Sequence, residues 1–247
     1  MPTLQTKNLV KRFEGVHAVD HLSLQFTPGK ITGIIGPNGS GKSTLINVLT
    51  GMIDLDGGVV IIGDPPVGGK LEQIQPYDVA TYGLTRTFQD VRLFEQMPVL
   101  DNILVVLTER GVWSALFERH RAFHLEQAEV VLRQVGLWEK RAELAANLSY
   151  GQRKLLEIAR ALAMKAEIYF FDEPFAGLFP EMVKTVVAVL KALRAEGKTI
   201  ILVEHNMDLI RELSDQVIVL DSGKLLAEGE PETVLQKPEV VEAYLGE

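Results

Sequence analysis

The chain has 247 residues, long enough to bury a large core as one domain or as one domain with lobes. It is 47% hydrophobic and 23% charged, with a formal net charge of −8 and no long basic block, which argues against nucleic acid as a partner. The absence of cysteine excludes disulfides and thiolate metal sites, and no apolar run approaches the roughly 18 residues that cross a bilayer.

The opening stretch, Met1 to Lys7, lacks the apolar core of a signal peptide. The expected compartment is therefore the cytoplasm, and any membrane role must come through a partner. Residues 3 to 35 alternate apolar and polar positions, as in Leu22 to Phe26 before the turn Thr27-Pro28-Gly29-Lys30, and predict short antiparallel strands. The strand-like run Ile31 to Ile35 feeds into Gly36-Pro37-Asn38-Gly39-Ser40-Gly41-Lys42-Ser43-Thr44. That segment fits the phosphate-binding pattern G-x-x-x-x-G-K-[ST], and the apolar helical run Leu45, Ile46, Val48 and Leu49 follows it. Gly36, Gly39 and Gly41 let the backbone curl with its N–H groups inward, and the helix start adds partial positive charge. Lys42 offers a full charge to the outer phosphates and Ser43 a hydroxyl to Mg²⁺. The alternative is a glycine-rich turn with an exposed lysine, which would not require every fixed position and both flanks to agree.

Val59 to Ile62 reads as a strand between turn-rich stretches, with Pro65-Pro66 and Gly68-Gly69 in an exposed loop. From about Val99 to Ala163 the pattern is helical, with a stripe over Leu125 to Val135 that ends at Gly136 in a C′ position. The charges at Glu118 to Arg121 and Glu139 to Arg141 read as solvated helical faces. Leu148-Ser149-Tyr150-Gly151-Gln152 opens a helix whose apolar stripe is Leu155, Leu156, Ile158, Ala159 and Leu162. Ser149 and Gln152 fit a capping box; the same helix start, with Gly151, could serve as a second anion cradle, and both readings stay open. After residue 166, strands at Ile168 to Phe171, Thr199 to Val203 and Val217 to Leu220 alternate with helices at Pro180 to Glu196 and Met207 to Leu213. Such alternation predicts a largely parallel sheet flanked by helices. Ile168 to Phe171 releases Asp172 and Glu173 at its carboxyl end, where open parallel sheets bind ligands. Asp172 is placed to hold Mg²⁺, and Glu173 to polarise a water for in-line attack on a terminal phosphate; a strand ending in a polar turn stopped by Pro174 is the plainer alternative.

With these segments in place, the chain resembles the nucleotide-binding subunit of an ATP-binding cassette transporter over nearly its whole length. The glycine loop is shared by many ATPases; Leu148 to Gln152 standing shortly before Ile168 to Glu173 is far more specific. The family usually has Gly where Tyr150 stands, and often Asp or Asn where Phe179 stands. The resemblance implies an α/β fold of the P-loop NTPase type in a single domain, 1–247, with the core built from the remainder of the chain. Its antiparallel β lobe would take about 1–35 and 54–70, and its helical subdomain about 90–163. It implies ATP and Mg²⁺ as cofactors, the latter on Ser43, Gln89 and Asp172. By resemblance, Gln89 senses metal and water and links to the membrane subunit, His205 contacts the γ-phosphate, and Phe13 stacks on adenine. Ser149, Gly151 and Gln152 would face the ATP of a second ATP-binding subunit, identical or related. His17, His21, His120 and His124 read as surface or loop residues. Arg86 to Phe94, Ser149 to Arg153 and the ending Glu242 to Glu247 are similar to importers of branched-chain amino acids. The implied protein sits peripherally on the cytoplasmic face of the membrane, with transmembrane permease subunits and an indirect link to a solute-binding protein. An importer for urea or amides, a non-transport cassette ATPase and a nucleotide kinase are the alternatives.

Overall fold

The first four strands divide between two sheets. β1 (Leu4–Phe13), β2 (Val16–Leu22) and β3 (Gln25–Phe26) are antiparallel, whereas β4 (Ile31–Ile35) is buried at every position and enters a parallel sheet. The computed structural model that shows this describes residues 3–63, 69–71, 74–107 and 118–245. Pro65, Pro66 and Gly68 of the expected loop, and the side chains of Glu118 to Arg121, lie outside the described residues.

The alternation over residues 3 to 35 therefore ends before Ile31, which corrects the grouping of that strand with the antiparallel lobe. The reason is that β4 has no polar face; a strand apolar on both sides is covered on both sides, as parallel strands are. β5 (Gly57–Ile62) and β6 (Gly69–Leu71) complete the antiparallel sheet, in the order β2-β1-β5-β6 with β3 beside β1. The register Leu4↔Ile62 and Thr6↔Val60 sends Leu4, Val60 and Ile62 into a core shared with Leu9, Leu22 and Phe26.

Two compact units make up the chain: Met1–Arg86, Glu167–Glu173 and Lys191–Glu247 form one, and Thr87–Ala166 with Pro174–Leu190 the other. The first unit holds both sheets. Its six-stranded sheet runs β11-β10-β4-β9-β8-β7, from β7 (Leu84–Arg86), β8 (Ile168–Asp172), β9 (Thr199–Val203), β10 (Gln216–Asp221) and β11 (Lys224–Gly229). All neighbours pair in parallel except β10 and β11, which form a hairpin. α1 (Lys42–Leu49) leaves the end of β4 and buries Leu45, Ile46, Val48 and Leu49 in the core of this unit.

In the second unit α2 (Val99–Leu107), α3 (Glu118–Gln134) and α4 (Tyr150–Ala163) pack pairwise around Ile103, Leu132, Leu155 and Ile158. α3 stops at Gly136, φ +70°, where Leu137 N–H reaches back to Leu132 O at 2.8 Å in a Schellman closure. Within α2, the buried Asn102 side chain accepts from Phe94 N–H at 2.9 Å and donates to Phe94 O at 3.0 Å, which fixes the preceding turn. α5 (Pro180–Ala195) begins in this unit, and α6 (Met207–Leu213), α7 (Pro231–Val234) and α8 (Pro238–Leu245) belong to the first.

Candidate nucleotide site

The glycine loop leaves β4 and turns into α1 through two positions that admit only glycine. A Cβ on Gly36 would fall 2.1 Å from Leu220 O, and one on Gly41 2.2 Å from Ala18 O. Both residues also have positive φ, +150° and +100°. The loop is thereby seated between the end of β10 and β2. Gly39, at φ +78°, faces open space and needs glycine for its backbone alone. Ser40 N–H donates to Pro37 O at 3.2 Å, and Ser40 O accepts from Gly223 N–H at 3.1 Å, which closes the curl around Asn38. Lys42 is buried at the start of α1, and its Nζ donates to Gly36 O at 2.6 Å and Pro37 O at 2.8 Å. Ser43 and Thr44 follow in the first turn, Ser43 exposed. An ammonium inside a curled loop, at a helix start whose first N–H groups have no intrahelical partner, suits a phosphate.

The two acids stand in different surroundings. Asp172, the last residue of β8, is 2% exposed, and Arg86 Nη2 lies 3.3 Å from its Oδ2. Arg86 Nη1 also donates to Asn47 Oδ1 at 2.8 Å and Thr50 Oγ1 at 2.9 Å, so one guanidinium ties α1 to the end of β8. Glu173 has φ +48°, a left-handed backbone that non-glycine residues adopt at a cost of about 1 kcal/mol or more and that clusters at functional sites. Its N–H donates to Val203 O at 3.0 Å, and its Oε1 lies 3.0 Å from His205 Nε2. The pair meets because Asp172 is in register with Val203, setting the ends of β8 and β9 side by side. Glu204, buried, accepts from the backbone N–H of His205 at 3.0 Å and of Asn206 at 3.4 Å and so holds the turn that presents His205. Lys42, Asp172, Glu173 and His205 thus gather at the carboxyl ends of β4, β8 and β9.

Phe13 ends β1 opposite Val16, is 47% exposed, and has Lys11 Nζ 5.4 Å from its ring centroid. It lies on the same hairpin as Ala18, which touches the loop. His17 and His21 both contact Asp20, at 3.0 and 2.7 Å, and hold its carboxyl well below the usual range.

The second unit carries the remaining residues. Gln89 is exposed in a bend after β7. Ser149 Oγ accepts from Gln152 N–H at 3.3 Å, and Gln152 Oε1 accepts from Ser149 N–H at 3.1 Å, a complete capping box on α4. Gly151 is buried; a Cβ there would fall 2.5 Å from Met182 Sδ. The Tyr150 ring lies over Gly177, where a Cβ would come within 2.9 Å of its Cε1, and Phe179 is 72% exposed.

Reading α4 from its apolar stripe overlooked Glu157, which falls on the buried side with Lys154. Burial pushes its carboxyl up to about 7, against the backbone hydrogen bond from Phe88 and the charges of Lys154 and Arg160. An acid that holds its proton more tightly folded than unfolded loses stability for the fold as pH rises from its ordinary 4.5 towards 7. Glu157→Gln carries no such charge. Its stability relative to wild type should rise between pH 5 and pH 8, by on the order of 3 kcal/mol, in urea unfolding at each pH. A difference that stays flat with pH would mean that Glu157 is solvated.

The sequence profile described as ABC transporter matches residues 19–176. The high-affinity branched-chain amino acid transport ATP-binding protein LivG of Escherichia coli (strain K12) is 39% identical, over 100% of this chain and 98% of that protein. The ADP conformation of an ATP-binding cassette of an ABC transporter superposes with a TM-score of 0.84 at 34% identity, covering 100% of both chains. A dimeric post-hydrolysis state of another ATP-binding cassette, bound to ADP and Pi, gives 0.79 at 25% identity, over 92% of this chain and 98% of that one. The glycine loop, the capped start of α4 and the acids at the end of β8 all fall inside the matched span, and the chain belongs to the ABC transporter family as one of its ATP-hydrolysing subunits.

Proposed function

We propose that the chain powers the uptake of branched-chain amino acids through transmembrane permease subunits, with ATP–Mg²⁺ as its fuel. The observation that carries the hydrolytic part is the contact of Glu173 with His205 beside the strand that feeds the Lys42 loop. The cargo rests on the full-length likeness to the Escherichia coli relative.

In this reading the amides of Gly36 to Thr44 and the Lys42 ammonium hold the β- and γ-phosphates, Phe13 stacks on adenine, and His205 steadies the γ-phosphate. Glu173 takes the proton of the attacking water. The donors near the loop suit Mg²⁺, which prefers hard oxygens: the Ser43 hydroxyl is exposed on the first turn of α1, and the Asp172 carboxylate is fixed by Arg86. Bound there, with the Gln89 side-chain oxygen as a further ligand, Mg²⁺ would neutralise phosphate charge. Ser149, Gly151 and Gln152 of a second ATP-binding subunit, identical or related, close on the same nucleotide. The chain attaches peripherally to the permease on the cytoplasmic face; among the described residues no helix is long and apolar enough to cross a membrane. A solute-binding protein is reached only through that permease.

Ser149→Arg tests the dimer. It places a long cation where the capped helix start would meet the partner's phosphates. Hydrolysis should fall to background while the isolated monomer keeps its nucleotide affinity within about twofold, since no part of the Lys42 loop changes. Loss of monomer binding would instead set the α4 start against the chain's own ATP. For the cargo, proteoliposomes holding the chain with its permease should take up labelled leucine on addition of ATP; uptake of urea or an amide alone would replace that assignment.

A further inference from the structure

Glu157 does more than occupy the interior of the second unit. Its Oε1 accepts from Phe88 N–H at 3.1 Å. Phe88 stands directly before Gln89. Arg160, one turn further along α4, donates from Nη1 to Arg92 O, and the Arg92 guanidinium lies 4.1 Å from the Phe88 ring centroid. The segment around Gln89 is therefore clamped to the helix whose N-terminus is capped by Ser149. We propose that Glu157 is a positioning residue for ATP hydrolysis: it holds the backbone just ahead of Gln89, while Arg160 holds it just beyond, so that Gln89 and the start of α4 move as one body. This inference rests on the role proposed above for Gln89.

The physical warrant is geometric. A buried acceptor for a backbone N–H costs free energy to remove, because the donor loses that partner. α4 is a single uninterrupted helix, about 20 Å long at 1.5 Å per residue, and it carries any displacement at Glu157 to Ser149 without bending. A contact made at Gln89 thus biases the position of Ser149, and by linkage a contact at Ser149 biases Gln89 to the same extent.

The test compares Glu157→Ala, Glu157→Met and Glu157→Gln with Gln89→Ala in steady-state ATP hydrolysis, each checked by thermal melting. Ala removes the acceptor; Met removes it while filling the space, and stands in should Ala not fold. Both should lower kcat about tenfold or more with KM for ATP within about twofold, as misplacement of a reacting geometry does. Gln keeps an acceptor oxygen and should restore kcat to within about threefold of wild type. Wild-type kcat in Glu157→Met beside a slow Gln89→Ala would overturn the positioning role alone. So would a Gln variant as slow as Met, or a rise in KM at constant kcat. Wild-type turnover in Gln89→Ala would overturn the role of Gln89 and this inference with it.

Discussion

Lys42→Ala is expected to cut ATP turnover by about 100-fold or more, the loss that follows removal of one preorganised electrostatic contact to a reacting group. The Lys42 ammonium is buried and rests on the loop's own Gly36 and Pro37 carbonyls, so its charge is already in place before a nucleotide arrives. That preorganisation is the source of the effect, because little side-chain freedom remains to be lost on binding. Lys42→Arg should not restore activity. The planar guanidinium is wider than an ammonium and spreads its donors over a fork, so it cannot put one nitrogen against both Gly36 O and Pro37 O as the Lys42 Nζ does. Phosphate release under saturating ATP measures turnover, and a melting curve within a few degrees of wild type confirms that the fold survives. Turnover at the wild-type rate in Lys42→Ala would remove the loop from the reaction.

The glycine loop was legible because its chemistry is consecutive: the residues from Gly36 to Thr44 carry both the turn geometry and the charge. Asp172 and Glu173 were legible for a related reason, since four apolar residues followed by two acids describe a buried strand and its open end. What joins them was not. Glu173 reaches His205 only through the β8–β9 register, and Arg86 reaches Asp172, Asn47 and Thr50 across three elements. No local pattern encodes a pairing between distant strands. The left-handed backbone of Glu173 was equally hidden, because a glutamate there has none of the compositional signature of a positive φ. Glu157 is a different case. Its spacing from Lys154 and Ala161 sets it on the buried side of α4, and an acid falling within the apolar stripe is a signal that helical periodicity contains. The antiparallel reading of Ile31 to Ile35 erred by extending a neighbouring alternation into a run that has no polar face.

Glu173→Gln should keep ATP binding and lower hydrolysis by about 100-fold or more, the range for losing a general base. The choice of Glu173 over Asp172 follows from their surroundings. Asp172 is buried at 2% exposure and engaged by Arg86, a carboxylate fixed in place. Glu173 has 20% of its side chain open and meets the exposed His205 at the strand end, where a water can reach it. Glutamine matches glutamate in size, keeps an oxygen or an amide N–H for the His205 contact, and leaves the φ of +48° unchanged. The substitution therefore removes proton acceptance and little else. With the attacking water no longer activated, two ATP-loaded subunits should stay closed on each other long enough to be seen as a dimer by size exclusion in ATP, while wild type returns to monomer as it hydrolyses. A Glu173→Gln chain that turns over ATP at the normal rate would assign the base elsewhere. One that is slow but never accumulates a dimer would separate the hydrolytic role of Glu173 from closure against a second subunit.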